Sequence, residues 1–111
     1  MSDEILKYIE DMLKAIRLIE SFMGKRLSFS RYQKDIKTKF AIERNLEIIG
    51  EALNKALKRQ PDLSITSAHQ IIATRNRLIH TYDAIDDYII WEIITTHLPT
   101  LKSELLLLQN F

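Results

Sequence analysis

The stretch Ala41-Ile42-Glu43-Arg44-Asn45-Leu46-Glu47-Ile48-Ile49-Gly50-Glu51-Ala52 reads as the middle of a long helix. Extended outward, Phe40, Ala41, Leu46, Ile48, Ile49, Ala52, Leu53, Ala56 and Leu57 supply a buried side for a helix from about Tyr32 to Lys58. Gly50 lies inside it. A glycine there costs roughly 0.5–1 kcal/mol against alanine. The position therefore predicts a close approach by another backbone that offsets this cost. Glu43, Glu47 and Glu51 recur every fourth residue and share a face. Like charges at that spacing repel mildly, so they are expected to meet external cations or water.

On the N-terminal side, Ile5, Leu6, Ile9, Met12, Leu13, Ile16, Ile19 and Met23 recur at threes and fours, which predicts a first helix over residues 4–23. Gly24 is a natural stop, having no Cβ to clash in a left-handed conformation. Serines between Lys25 and Arg31 can cap the next helix. On the C-terminal side, Pro61 breaks the chain. Ser64 or Thr66 then caps a third helix that runs to about Thr81. Residues 83–86 make a turn, and Asp86 caps a fourth helix over residues 87–97. Ile89, Ile90, Trp91, Ile93 and Ile94 face inward there, with Trp91 read as core rather than as a base-stacking platform. Pro99 opens a last helical segment or marks a kink. The expected fold is all-α: an up-and-down bundle of four to five antiparallel helices with short loops. The apolar run Leu105–Leu108 either packs on the first helix or makes a dimer contact.

The totals agree. A chain of 111 residues, 46% hydrophobic and 28% charged, makes a single domain spanning residues 1–111 with a modest core. It has no cysteine, which excludes disulfides and thiolate metal sites. The acidic start Met1-Ser2-Asp3-Glu4 is not a secretory signal, and no apolar run is long enough to span a membrane, so the cytoplasm is the expected location. Net charge is only +1, yet residues 25–44 hold seven basic against two acidic side chains. That local excess suits either a solvated face or a track for RNA.

The chemistry concentrates in Arg75-Asn76-Arg77-Leu78-Ile79-His80-Thr81-Tyr82. Arginine offers phosphate a rigid fork of donors, and histidine can move a proton near neutral pH. At about 100° per residue, Arg75 and Tyr82 share one stripe of a helix, whereas His80 sits about 140° round from Arg75. Three arrangements bring Arg75 and His80 to one phosphate. The helix loosens near His80, the arginine reaches around, or a second chain supplies its copy across a two-fold axis. The purely structural alternative has Arg75 and Arg77 as surface cations pairing with Glu47 or Glu51. His69 and His97 have no partner at metal-ligand spacing, so neither a metal nor another cofactor is expected.

These residues resemble a known family. Arg75-x4-His80-x-Tyr82 is similar to the Arg-x4-His-x-Tyr motif of the HepT-like toxins, a branch of the HEPN superfamily. Ala41 to Ala52 resembles the family's second-helix signature, and Ile85-Asp86, Trp91 and Leu98-Pro99-x-Leu101 follow its second half in order. Family members often carry Pro-Trp where this chain has Ser64-Ile65-Thr66. The resemblance implies a HEPN-like helical fold and a metal-independent endoribonuclease, the toxin of a toxin–antitoxin pair. Arg75 and His80 would be catalytic, with Asn76 and Glu51 in support. The resemblance also implies a homodimer whose two motifs face one cleft. Its antitoxin would be a nucleotidyltransferase of the MNT type that adenylylates Tyr82. Whether the RNA is transfer or messenger RNA stays open. The competing reading keeps the fold and the nucleotidyltransferase partner but makes the chain a non-catalytic scaffold.

Overall fold

The first helix runs where its apolar spacing puts it. In the computed structural model, which describes residues 1–80 and 85–110, α1 covers Asp3–Met23. Ser2 caps it by accepting from the Ile5 N–H at 3.2 Å. Gly24 ends it at φ +58°, a backbone conformation that a side chain would disfavour. Ile5, Ile9, Met12, Leu13, Ile16 and Ile19 are all buried.

The expected second helix is two. α2 covers Phe29–Lys34 and α3 covers Ile36–Arg59, with the break at Asp35. Ser28 caps α2 through the Arg31 N–H at 3.2 Å. The Asp35 carboxylate accepts from the Thr38 N–H at 3.1 Å and the Thr38 hydroxyl at 2.7 Å. This two-bond cap gives the chain a better use for Asp35 than continuing one helix. The same two bonds hold the Asp35 carboxyl below the usual carboxylate range. The break turns Tyr32 inward, fully buried, so that its ring packs on Trp91. Burial raises the Tyr32 phenol well above its ordinary value.

α3 then lies along α1 and buries Ile42, Leu46, Ile49, Leu53 and Ala56 against it. Phe40, expected on the buried side, is 65% exposed. It lies about 120° around the helix from Leu46, so the core face passes it by.

After the 60–67 connector, α4 (Ala68–His80) returns along α3. Thr66 does not cap it. Its N–H and hydroxyl bind Glu104 instead, at 3.1 and 2.8 Å. Asp86 caps α5 (Asp87–Glu92), accepting from the Tyr88 N–H at 2.9 Å. A single π-helical turn, Ile93–His97, joins α5 to α6 (Leu98–Gln109), so the chain stays helical from residue 87 to 109. Pro99 falls in the first turn of α6, one of the two places expected for it. The wider turn before it accommodates a residue that has no N–H to give and whose ring crowds the preceding turn.

Leu98, Leu101 and Leu105 seal the core beside α1, and Lys102 reaches Glu20 at 2.9 Å. Leu106 and Leu107 stay exposed, so the terminal leucine run serves the core with only part of its length. No helix among the described residues is long and apolar enough to cross a membrane.

Candidate active site

Gly50 is the floor on which Arg75 stands. A Cβ built on Gly50 would fall 2.3 Å from Arg75 Cβ and 2.6 Å from Arg75 Cγ, with the Ile71 carbonyl 3.5 Å away. The close approach expected at this glycine is thus made mainly by the root of the arginine side chain, with the α4 backbone just behind it. Glycine at 50 lets α4 press close enough to α3 for the Arg75 stem to pass between them. The guanidinium emerges half-buried, and its Nη1 donates to Asn76 Oδ1 at 3.0 Å. Its Nε is buried without a partner among the described residues. A buried donor left unpaired is costly, on the order of 1–3 kcal/mol, and an anion is the natural acceptor for it.

His80 is the last residue of α4 and is exposed. The helix is regular through His80, so it does not loosen there, and the angle of about 140° from Arg75 persists. That angle separates the two helix positions, but the guanidinium itself turns toward Asn76, which shares a stripe of α4 with His80 one turn further on. Tyr82 lies outside the described residues.

Glu51 pairs with Lys55 at 3.3 Å and lines the groove between α1 and α3, so the fold does not bring it to Arg75. Glu47 pairs with Arg44 at 3.1 Å. The cations expected to quench the glutamate stripe thus come from α3 itself, and neither Arg75 nor Arg77 makes these pairs. Arg77 instead lines a small cavity of about 270 Å³ on another face of α4, with His69, Glu92 and His97. His97 Nδ1 meets the buried Ser67 hydroxyl at 2.8 Å, which fixes the ring. Among the described residues, no three His, Asp or Glu side chains are placed to hold a metal.

Glu43 is the group near this site to which the sequence gave no place. It lies seven residues before Gly50, about 20° away on the same face of α3. Burial raises its carboxyl above the ordinary range; Lys39 pulls it down, while Asp87 and Glu47 push it up. Lys39 bridges to Asp87 at 3.0 Å, fastening the start of α5 to α3. The spacing to Gly50 was legible, but its partial burial depends on how α5 returns.

The family model described as "Ribonuclease HepT-like" matches residues 12–107. A protein of Thermococcus cleftensis named "Probable ribonuclease HepT" is 35% identical over 101 residues, covering 87% of this chain and 88% of that one. A "Putative RNase" of Caldanaerobacter subterraneus is 35% identical over 99 residues, covering 87% of each. Another "Putative RNase", of Methanocaldococcus jannaschii, is 32% identical over 101 residues, covering 86% of this chain and 79% of that one. No solved structure matches the chain significantly.

Proposed function

We propose that this chain, which belongs to the HepT-like ribonuclease family, is the toxin of a toxin–antitoxin pair and cuts RNA without a metal ion. The observation that carries the reading is Arg75 standing on Gly50, with a buried Nε that has no partner among the described residues. In this reading the nucleophile is the substrate's own ribose 2′-hydroxyl. Its oxygen attacks the adjacent phosphorus, the bond from phosphorus to the 5′ oxygen breaks, and the leaving oxygen takes a proton. The Arg75 guanidinium stabilises the charge that gathers on the phosphoryl oxygens, and Asn76 holds the guanidinium in place. Imidazole is the proton carrier, as base on the 2′ side or acid on the 5′ side.

One chain offers a single imidazole for the two proton transfers. A homodimer with both motifs on one cleft supplies two. Ile79, Phe40 and Tyr88 are large apolar residues exposed around the His80 end of the bundle, as a contact with a second copy requires. The purified protein is expected to cleave RNA in the presence of EDTA and to leave 2′,3′-cyclic phosphate and 5′-hydroxyl ends. Intact RNA under those conditions, analysed by end-group chemistry and gel, would count against it.

The antitoxin in this reading is an MNT-type nucleotidyltransferase. The Tyr82 phenol oxygen attacks the α-phosphorus of ATP, pyrophosphate leaves, and the phenolic proton goes to solvent. An adenylate two residues from His80 occupies the anion site and repels the RNA backbone. Co-expression with such an enzyme is expected to add one adenylate to the intact mass and to silence cleavage, whereas Tyr82→Phe stays unmodified and active. Neutralisation of Tyr82→Phe as complete as that of the wild type would remove the modification from the mechanism.

A further inference from the structure

The basic stretch ahead of α3 folds into a concave surface that the cleavage chemistry leaves unused. The α1–α2 connector, α2 and the first turn of α3 enclose a hollow of about 890 Å³. Lys25, Arg26, Arg31, Lys34 and Lys37 surround it, with Asp35 as the one carboxylate. Both Asp35 oxygens already serve Thr38. None of the five cations forms an ion pair among the described residues. Elsewhere on the chain, Lys7, Lys39, Arg44, Lys55, Arg59 and Lys102 have carboxylate partners, and Lys14, Arg17, Lys58, Arg75 and Arg77 have none among the described residues. What sets the hollow apart is five unpaired cations gathered around one concavity. The hollow also has an apolar component, made by Met23, Leu27 and Ile36, the last of them 62% exposed.

This hollow sits at the same end of the bundle as His80. α5, which begins seven residues beyond His80, stacks its Tyr88 on Phe29 of α2 with ring centres 4.4 Å apart. Its Asp87 holds Lys39 near the start of α3. α4 runs back along α3 with Arg75 opposite Gly50, so His80 stands about 7 Å further toward the start of α3, and Ile36 about 14 Å beyond that level.

We propose that this concavity binds the RNA strand next to the cleaved phosphodiester, with phosphates on its lysines and arginines and a base against Met23, Leu27 and Ile36. The proposal rests on the ribonuclease reading of Arg75 and His80 for its substrate class. Unpaired cations around an apolar floor suit a single strand better than a duplex, because the bases of a single strand are free to turn inward. The contacts read backbone and stacking, so they set affinity and position rather than sequence.

The test uses the full-length chain carrying His80→Ala, so that RNA stays intact, and a labelled single-stranded oligoribonucleotide. Into it go Lys25→Gln, Lys34→Gln and Lys37→Gln together. A control carries Lys14→Gln, Arg17→Gln and Lys58→Gln, the same change in net charge outside the hollow. Three lost phosphate contacts are expected to weaken binding at low salt at least tenfold and to make the slope of log K against log salt shallower by about 2. In the chain with His80 intact, the concavity triple should raise KM for long RNA and leave cleavage of a dinucleotide unchanged.

Equal salt slopes for the two triples overturn the proposal. So does a triple that binds RNA like the parent and loses only an acidic protein partner. If Arg75→Ala abolishes cleavage while the concavity triple behaves like its control, the concavity fails and the ribonuclease reading stands. If no chain cuts RNA but the concavity triple alone loses salt slope, the binding site stands and the ribonuclease reading fails.

Discussion

Replacing His80 with alanine is expected to lower RNA cleavage by about two to four powers of ten while leaving the fold intact. The two parts of this expectation have separate causes. His80 is exposed at the end of α4 and holds no part of the core, so its removal shifts stability by no more than about 0.5 kcal/mol. The chemistry, in contrast, loses its proton carrier. Arg75→Ala is expected to cost about two to three powers of ten through lost stabilisation of the phosphoryl oxygens. Arg75→Lys should recover only part of that, because a point charge cannot replace a fork aimed at two oxygens. The double variant should be little worse than the poorer single one, since the groups act on a single transition state. The measurement is kcat/KM on a defined RNA, with melting temperature and helix content recorded alongside. Unchanged cleavage in His80→Ala would hand the proton transfer to another group, whereas no cleavage by the wild type, with partner binding kept, would make the chain a binding module of this fold and not a nuclease.

Gly50→Ala is expected to damage the site more than the fold. The new Cβ would have to occupy space 2.3 Å from Arg75 Cβ, and since rotating the arginine stem moves Cγ but not Cβ, α4 has to shift away from α3. Overpacking of this kind costs about 1–3 kcal/mol, while alanine returns about 0.5–1 kcal/mol of helix preference. The net loss of stability is therefore small to moderate. That shift moves the guanidinium, however, and a misplacement of about 1 Å can cost around a hundredfold in rate. Cleavage measured well below the melting temperature should fall by one to two powers of ten, and the melting temperature by several degrees. A Gly50→Ala chain that melts higher and cuts normally would show that Arg75 does not need this seat.

The basic run of residues 25–44 shows how far local reading goes. Its charge excess was legible, and so was the choice between a solvated face and a track for RNA. Which cations would find carboxylates was not. Lys39 meets Asp87, 48 residues away in sequence, because α5 returns to α3, whereas Lys25, Arg26, Lys34 and Lys37 are left around a hollow. The break at Asp35 was written in Asp35 and Thr38, but the expected helix ran across it from about Tyr32 to Lys58. Local capping prevailed because Tyr32 gains a fully buried place only when α2 turns away.

By itself, the sequence determined the helical class, the α1 and α3 faces that pair, the stops at Gly24 and Pro61, and the cap at Asp86. Each of these is a contest among neighbours a few residues apart, decided by backbone freedom and by the 3.6-residue period. It also singled out Arg75, His80 and Gly50, and the angle that sets the first two apart. Only the tertiary structure decided that Gly50 and Arg75 belong to one contact and that Glu43 is half-buried. Those outcomes depend on which segment comes to lie against which. That is fixed by the joint packing of helices distant in the chain, and no local rule carries it.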